Sequence, residues 1–151
     1  MLWLLMASTL AGCGWIDLPG SPQPLGKGTS LELFSVSSTN VAGTRAAAGP
    51  DAGSTIYLIQ PPIIVSSEVE TVQLRKSTPS MPELVVNLTP AGAKKMSAAT
   101  TPPKRQQLAL VVNGKVLAAP TVMATISDSL ILGGMLTDKD CDEFFDSLTA
   151  E

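Results

Sequence analysis

The dipeptide Asn113-Gly114, set between the apolar runs QLALVV and VLAAPTV, restricts this chain more than any other feature. Asn-Gly between apolar runs is the strongest short-range mark of a two-residue type I′ hairpin, because both central residues must take positive φ. The two arms are apolar at alternate and at intervening positions, so both faces of the ribbon need cover. Pro120 has no N–H to give a further neighbour, which sets the second arm at a sheet edge or breaks it there.

The segments around this hairpin read as short strands and helices. LELFSV (31 to 36), TIYLI (55 to 59), ELVVNL (83 to 88) and SLILGG (129 to 134) have strand composition. Between the first two, residues 37 to 54 read as a low-complexity loop of small side chains with little to bury. Ser67 and Glu70 have the spacing of a capping box, which predicts a short helical turn. Thr89-Pro90 offers an N-cap followed by proline at the first helical position, opening a helix with Ala93, Met96 and Thr100 on one side and Lys94 and Lys95 outward. Thr137 caps a last helix in which Cys141, Phe144, Phe145 and Leu148 share a face. Only six residues are aromatic, so the core rests on aliphatic side chains. Strands and helices mix without regular alternation, which predicts α+β: an antiparallel sheet with two to three short helices packed on one face.

The N-terminal stretch MLWLLMASTLAGCG resembles a bacterial lipobox. Residues 1–12 then form a lipoprotein-type signal peptide, Cys13 is the lipidation site, residues 13–30 a Pro/Gly tether, and 31–151 a single domain. The stretch lacks the Lys or Arg that usually precedes an export signal's apolar run. That run is also far short of the ~20 residues a membrane-spanning helix needs. The expected location is the cell envelope, lipid-anchored through Cys13 and facing the periplasm or the cell exterior.

Several function classes are disfavoured by what the chain contains. With no histidine, the familiar nucleophile-base pairs and His-metal sites are absent. A net charge of -3 provides no basic field for nucleic acid. Residues 137 to 151 hold six acids and one lysine, but DKDCDEFF lacks the turn glycine of a calcium loop, so a solvated helix face is the reading. Cys141 reads as a small buried hydrophobe, and Lys94-Lys95 and Lys104-Arg105 as solvated. No catalytic residue, metal ligand or cofactor is assigned.

The hairpin stretch Leu108 to Pro120 resembles L-A-I-V-L-D-G-K-V-I-S-A-P of the SecD family, in the head subdomain of its large periplasmic loop. Leu88-Thr89-Pro90-Ala91-Gly92-Ala93 resembles that family's L-T-P-E-G-A. Ile56-Tyr57-Leu58 with Pro62 and Ser67-Glu68-Val69 resembles its first strand and short helix, and Ile126, Gly134, Leu136 and Thr137 its closing I-S-G-x-F-T. The resemblance spans 56–151; Ala91 stands for Glu, Asn113 for Asp, and Asp128-Ser129 for a glycine pair. It implies a non-catalytic binding module for protein transport that contacts exported polypeptides or the Sec translocase. SecD sets this head between membrane helices coupled to proton flow, and no apolar run here is long enough for one, so binding without the motor is expected. The contact candidates are Val116, Leu117, Ala118, Ala119, Thr121 and Val122 along the second hairpin arm, with Asn113 and Gly114 as the structural turn. The alternative is an envelope lipoprotein that uses the same fold for scaffolding or assembly unrelated to export.

Overall fold

In the computed structural model, which describes residues 20–76, 82–101, 106–133 and 137–150, the hairpin forms as the sequence requires. Strand β6 (Gln106–Val112) turns at Asn113 (φ 49°) and Gly114 (φ 81°) and returns antiparallel as β7 (Lys115–Ala118). The turn is tied down at a distance: the Ser30 N–H donates to Asn113 Oδ1 at 2.9 Å and the Asn113 N–H to the Ser30 carbonyl at 2.8 Å. From Leu108 to Val112 every residue of β6 is buried.

The preceding elements are β1 (Leu31–Ser37), β2 (Thr44–Ala48), β3 (Thr55–Ile59), a 3-10 turn at Ser66–Glu68, β4 (Val69–Lys76), β5 (Pro82–Leu88) and α1 (Pro90–Thr100). After the hairpin come β8 (Thr121–Val122), β9 (Ser129–Gly133) and α2 (Asp138–Thr149). One antiparallel sheet has the order β2-β3-β1-β6-β7, with β8 also paired to β6, and a three-stranded antiparallel sheet has the order β4-β5-β9. The class is α+β.

Alternation along the strands sorts side chains into two apolar clusters. Leu31 and Leu33 of β1 and Leu108, Leu110 and Val112 of β6 meet the second sheet's Val72, Leu84, Val86, Leu130 and Leu132, joined by Met96 from α1 and Leu148 from α2. The opposite face of the first sheet supplies the smaller cluster: Phe34, Leu58, Ala109, Val111 and Val116, with Ala47 and Ile56 at its margin. Strands β2 and β7, at the two ends of the sheet order, approach each other without pairing, so this sheet curls around the smaller cluster. The Arg45 guanidinium lies 5.7 Å from the centre of the Phe34 ring.

Three segments depart from the sequence reading. Residues 37 to 54 are not all loop: Thr44–Ala48 pairs with β3 in the register Ala46↔Tyr57. Main-chain bonds to the β-branched TIYLI stretch hold this alanine-rich strand, which has no apolar alternation to announce it. The turn at 67 to 70 falls earlier, at Ser66–Glu68, and the chain then runs extended as β4. Glu68, not Glu70, reaches back, accepting from the Val65 N–H at 3.1 Å. Residues 20 to 30, read as tether, lie against the domain. Gln23 exchanges two 2.7 Å bonds with Val72, Leu25 packs on the larger cluster, and the Gly26 N–H donates to the Leu148 carbonyl at 2.8 Å. Gly26 is required there, since a Cβ would collide with the Ala150 carbonyl. A run of prolines and glycines carries no periodic sign of such docking.

Burial on both faces of β6 has a measurable consequence. Leu110→Ala empties space in the larger cluster and should cost about 2–5 kcal/mol. Val111→Ala does the same in the smaller one and should cost about 1–3 kcal/mol, each read from urea unfolding midpoints. A Val111→Ala loss indistinguishable from that of an exposed β-strand position would contradict the second buried face.

Candidate functional site

The edge strand β7 and its continuation β8 form one ribbon along β6, broken at Pro120. The Leu108 N–H donates to the Pro120 carbonyl at 3.0 Å, and the Gln107 side-chain amide to the Ala119 carbonyl at 2.9 Å. Beyond Pro120, Gln106 pairs with Val122 and Gln107 with Thr121. Among the described residues no strand pairs with the outer side of β7 or β8. Of the six contact candidates, Val116, Ala118, Ala119 and Val122 are buried, Leu117 is half-buried and Thr121 is exposed. Only Leu117 and Thr121 carry side chains toward solvent; the other four offer main chain at most.

A cleft of about 390 Å³ lies beside this ribbon. One wall is Leu117, Ala118 and Ala119, with Gln107 behind them. The second is the β2–β3 turn with Pro50, Asp51 and Ser54, joined by Ile56 of β3, and the third the start of α2 with Asp140 and Phe144. Each wall is fixed by local bonds. In the turn, the Asp51 carbonyl accepts from the Ser54 N–H at 3.0 Å and from its hydroxyl at 2.7 Å, while the Gly49 N–H donates to the Ser54 carbonyl at 2.9 Å. At the helix start Thr137 and Asp140 form a full capping box: the Asp140 N–H donates to Thr137 Oγ1 at 3.2 Å, and Asp140 Oδ2 accepts from the Thr137 hydroxyl at 2.7 Å and its N–H at 3.2 Å. Those bonds, the hydroxyl's first, hold the Asp140 carboxyl below its ordinary value.

Sequence reasoning missed this cleft because two of its walls lay in segments read as a loop and as a solvated acidic face. The available signal was the Pro50-Asp51 pair followed by Gly53, a tight-turn composition that would have closed β2 onto β3. The other acids of α2 are spread over its surface, where Asp142 meets Lys76 at 3.0 Å and Glu143 meets Lys139 at 3.6 Å. Among the described residues, no group of three or more His, Cys, Asp or Glu side chains is arranged to hold a metal ion. Cys141 is fully buried. Cys13 and Lys104-Arg105 lie outside the described residues, and Lys94 is exposed.

A second polar knot fixes α1. Glu68, nearly buried, pairs with Lys95 of α1 and accepts from the Val65 N–H, while its own carbonyl accepts from the Thr89 N–H at 2.9 Å. Thr89 caps the helix, its hydroxyl accepting from the Gly92 N–H at 3.2 Å. A side chain at Gly92 would collide with the Glu68 carbonyl, so glycine is what lets turn and helix touch. The hydrogen bond from Lys95, more than any other influence, holds the Glu68 carboxyl below its ordinary value, against the opposing effect of burial.

A curled antiparallel sheet, a second three-stranded one, two helices and a strand edge unpaired by any described strand make up an α+β module. The model of the SecDF P1 head subdomain matches residues 40–150, and the chain belongs to that family. The match takes in β2, which the resemblance read from 56 onward did not reach. Among solved structures, SecDF, described as a membrane component that enhances protein export, matches at 18% identity and a TM-score of 0.55, over 85% of this chain and 69% of that one. SecDF in its Super-membrane-facing form matches at 17% identity and a TM-score of 0.56, over 80% of this chain and 19% of that one. At these identities the likeness is one of fold. Comparison with curated proteins gives no match. Among the described residues no helix is long and apolar enough to cross a membrane.

The Glu68 knot predicts a pH signature. Because its carboxyl is held below the ordinary value of 4.5, ionised Glu68 adds stability that is complete above that pH and is lost as pH falls through the lower folded value. Glu68→Gln should therefore cost about 1 kcal/mol near pH 7, an amount kept small by the exposure of Lys95. The gap between variant and parent should shrink in acid, as followed by denaturant unfolding at several pH values. A gap that widens in acid would contradict the assignment.

Proposed function

We propose that this chain is a membrane-anchored, non-catalytic recognition module that contacts extended segments of exported polypeptides at the β7–β8 edge, in the neighbourhood of the Sec translocase. The observation that carries the reading is this edge: a ribbon backed by a doubly buried β6, its outer main-chain groups paired with no described strand, although β2 approaches β7. A guest strand can bond to such an edge through its backbone, which tolerates many sequences, as a module meeting varied unfolded chains requires. Membership of the SecDF P1 head family supports the link to export. A diacylglycerol on Cys13 would hold the module at the envelope membrane, and the work would be done by contact with no covalent step.

In-cell photocrosslinking tests the reading. Probes at Leu117 and Thr121 should give adducts with exported chains or translocase subunits well above those from a probe at exposed Arg75, on the second sheet. Adducts confined to unrelated envelope proteins would favour a scaffolding role, and a yield no higher than from Arg75 would end the proposal. Cys13→Ala should move the protein out of the membrane fraction; retention there would remove the anchor from the account.

A further inference from the structure

We infer that the cleft beside β7 is a subsite for a cationic side chain, Arg or Lys, of an extended polypeptide lying along the β7–β8 edge. The inference rests on the edge reading and adds the class of residue selected there. A side chain leaving a strand bound at this edge would meet a space of about 390 Å³, ample for one long side chain, beside the margin of the smaller cluster at Ile56. Its walls carry Ile56, Leu117 and Phe144, which suit the methylene stem of a long residue. Among the described residues that line it, the charged ones are two acids, Asp51 and Asp140.

Both carboxylates have capacity to spare. The Asp51 side chain is engaged by no donor or cation among the described residues, since the Ser54 bonds go to its main-chain carbonyl. Asp140 uses Oδ2 for both bonds from Thr137 and leaves Oδ1 without a donor among the described residues. The capping bonds from Thr137 also fix the Asp140 carboxylate on a residue that lines the cleft. An apolar trough ending in two carboxylates, of which the Asp140 one is held by Thr137, complements an ammonium or guanidinium on an aliphatic stem. It disfavours an acidic residue by like-charge repulsion, and a neutral polar one gains only hydrogen bonds.

The test uses the full chain in detergent and strand-forming peptides identical except for a central Arg, Gln or Glu, with binding read by fluorescence anisotropy. The Arg peptide should bind about 3–10-fold more tightly than the Gln peptide, as two partly exposed ion pairs allow. The Glu peptide should bind more weakly still. Asp51→Asn and Asp140→Asn, the second keeping an oxygen for the helix cap, should each reduce the Arg preference, and so should added salt. Equal binding of the three peptides, or an Arg preference unchanged in both variants, would overturn the subsite while leaving the edge reading intact. No binding of any peptide would overturn both.

Discussion

The architecture depends on burying one strand on both sides. β6 sends Leu108, Leu110 and Val112 into the core between the sheets and Ala109 and Val111 into the cluster that the curled sheet encloses. At roughly 1.5–3 kcal/mol for each large side chain removed from water, β6 is the most fully buried strand of the first sheet, and β1 shares its role with Leu31 and Leu33 on one face and Phe34 on the other. What surrounds it follows from that demand. The second sheet, α1 and α2 cover one face, while β3, the curl of β2 toward β7, and Phe34 cover the other. The smaller cluster could not close over a flat sheet, so the curl is a packing requirement.

The same constraint shapes the exposed edge. Backed by the buried β6, β7 and β8 are short and paired with no described strand on their outer side, and Pro120, which has no N–H to give, interrupts the edge. Curling also brings the β2–β3 turn and the start of α2 up to the ribbon, which turns a plain edge into an edge with a walled cleft. Two capping arrangements, Thr137 with Asp140 and Thr89 with the nearby Glu68–Lys95 pair, set where the helices begin and so where those walls stand.

How much of this could be read from residues alone varies with the kind of signal. The hairpin was legible because Asn-Gly has a steric meaning, and the helix starts because Thr89-Pro90 and Thr137 are suited to capping free amides. The α+β class and the family resemblance followed from these. Strand β2 was hidden because TRAAA has neither alternation nor bulk; its existence depends on β3 lying beside it. Strand β4 was hidden behind a misplaced capping box, since Ser67 and Glu70 have the right spacing while Glu68 does the bonding. The docking of residues 20 to 30 turns on single contacts, such as Leu25 in the core and Gly26 against α2, which no periodicity marks. The candidate ribbon was legible in sequence as an edge, but burial removed four of its six side chains from the surface, and the cleft's acids came from segments far apart in the chain.

Native-state hydrogen exchange, with and without an unfolded polypeptide, tests most directly the claim that a doubly buried strand presents a contact edge. The account predicts that amides of residues 108 to 112 are among the slowest in the protein, that residues 116 to 122 exchange faster, and that added polypeptide slows exchange chiefly in 116 to 122. Fast exchange across 108 to 112, or polypeptide-induced protection confined to the β4-β5-β9 sheet, would contradict it.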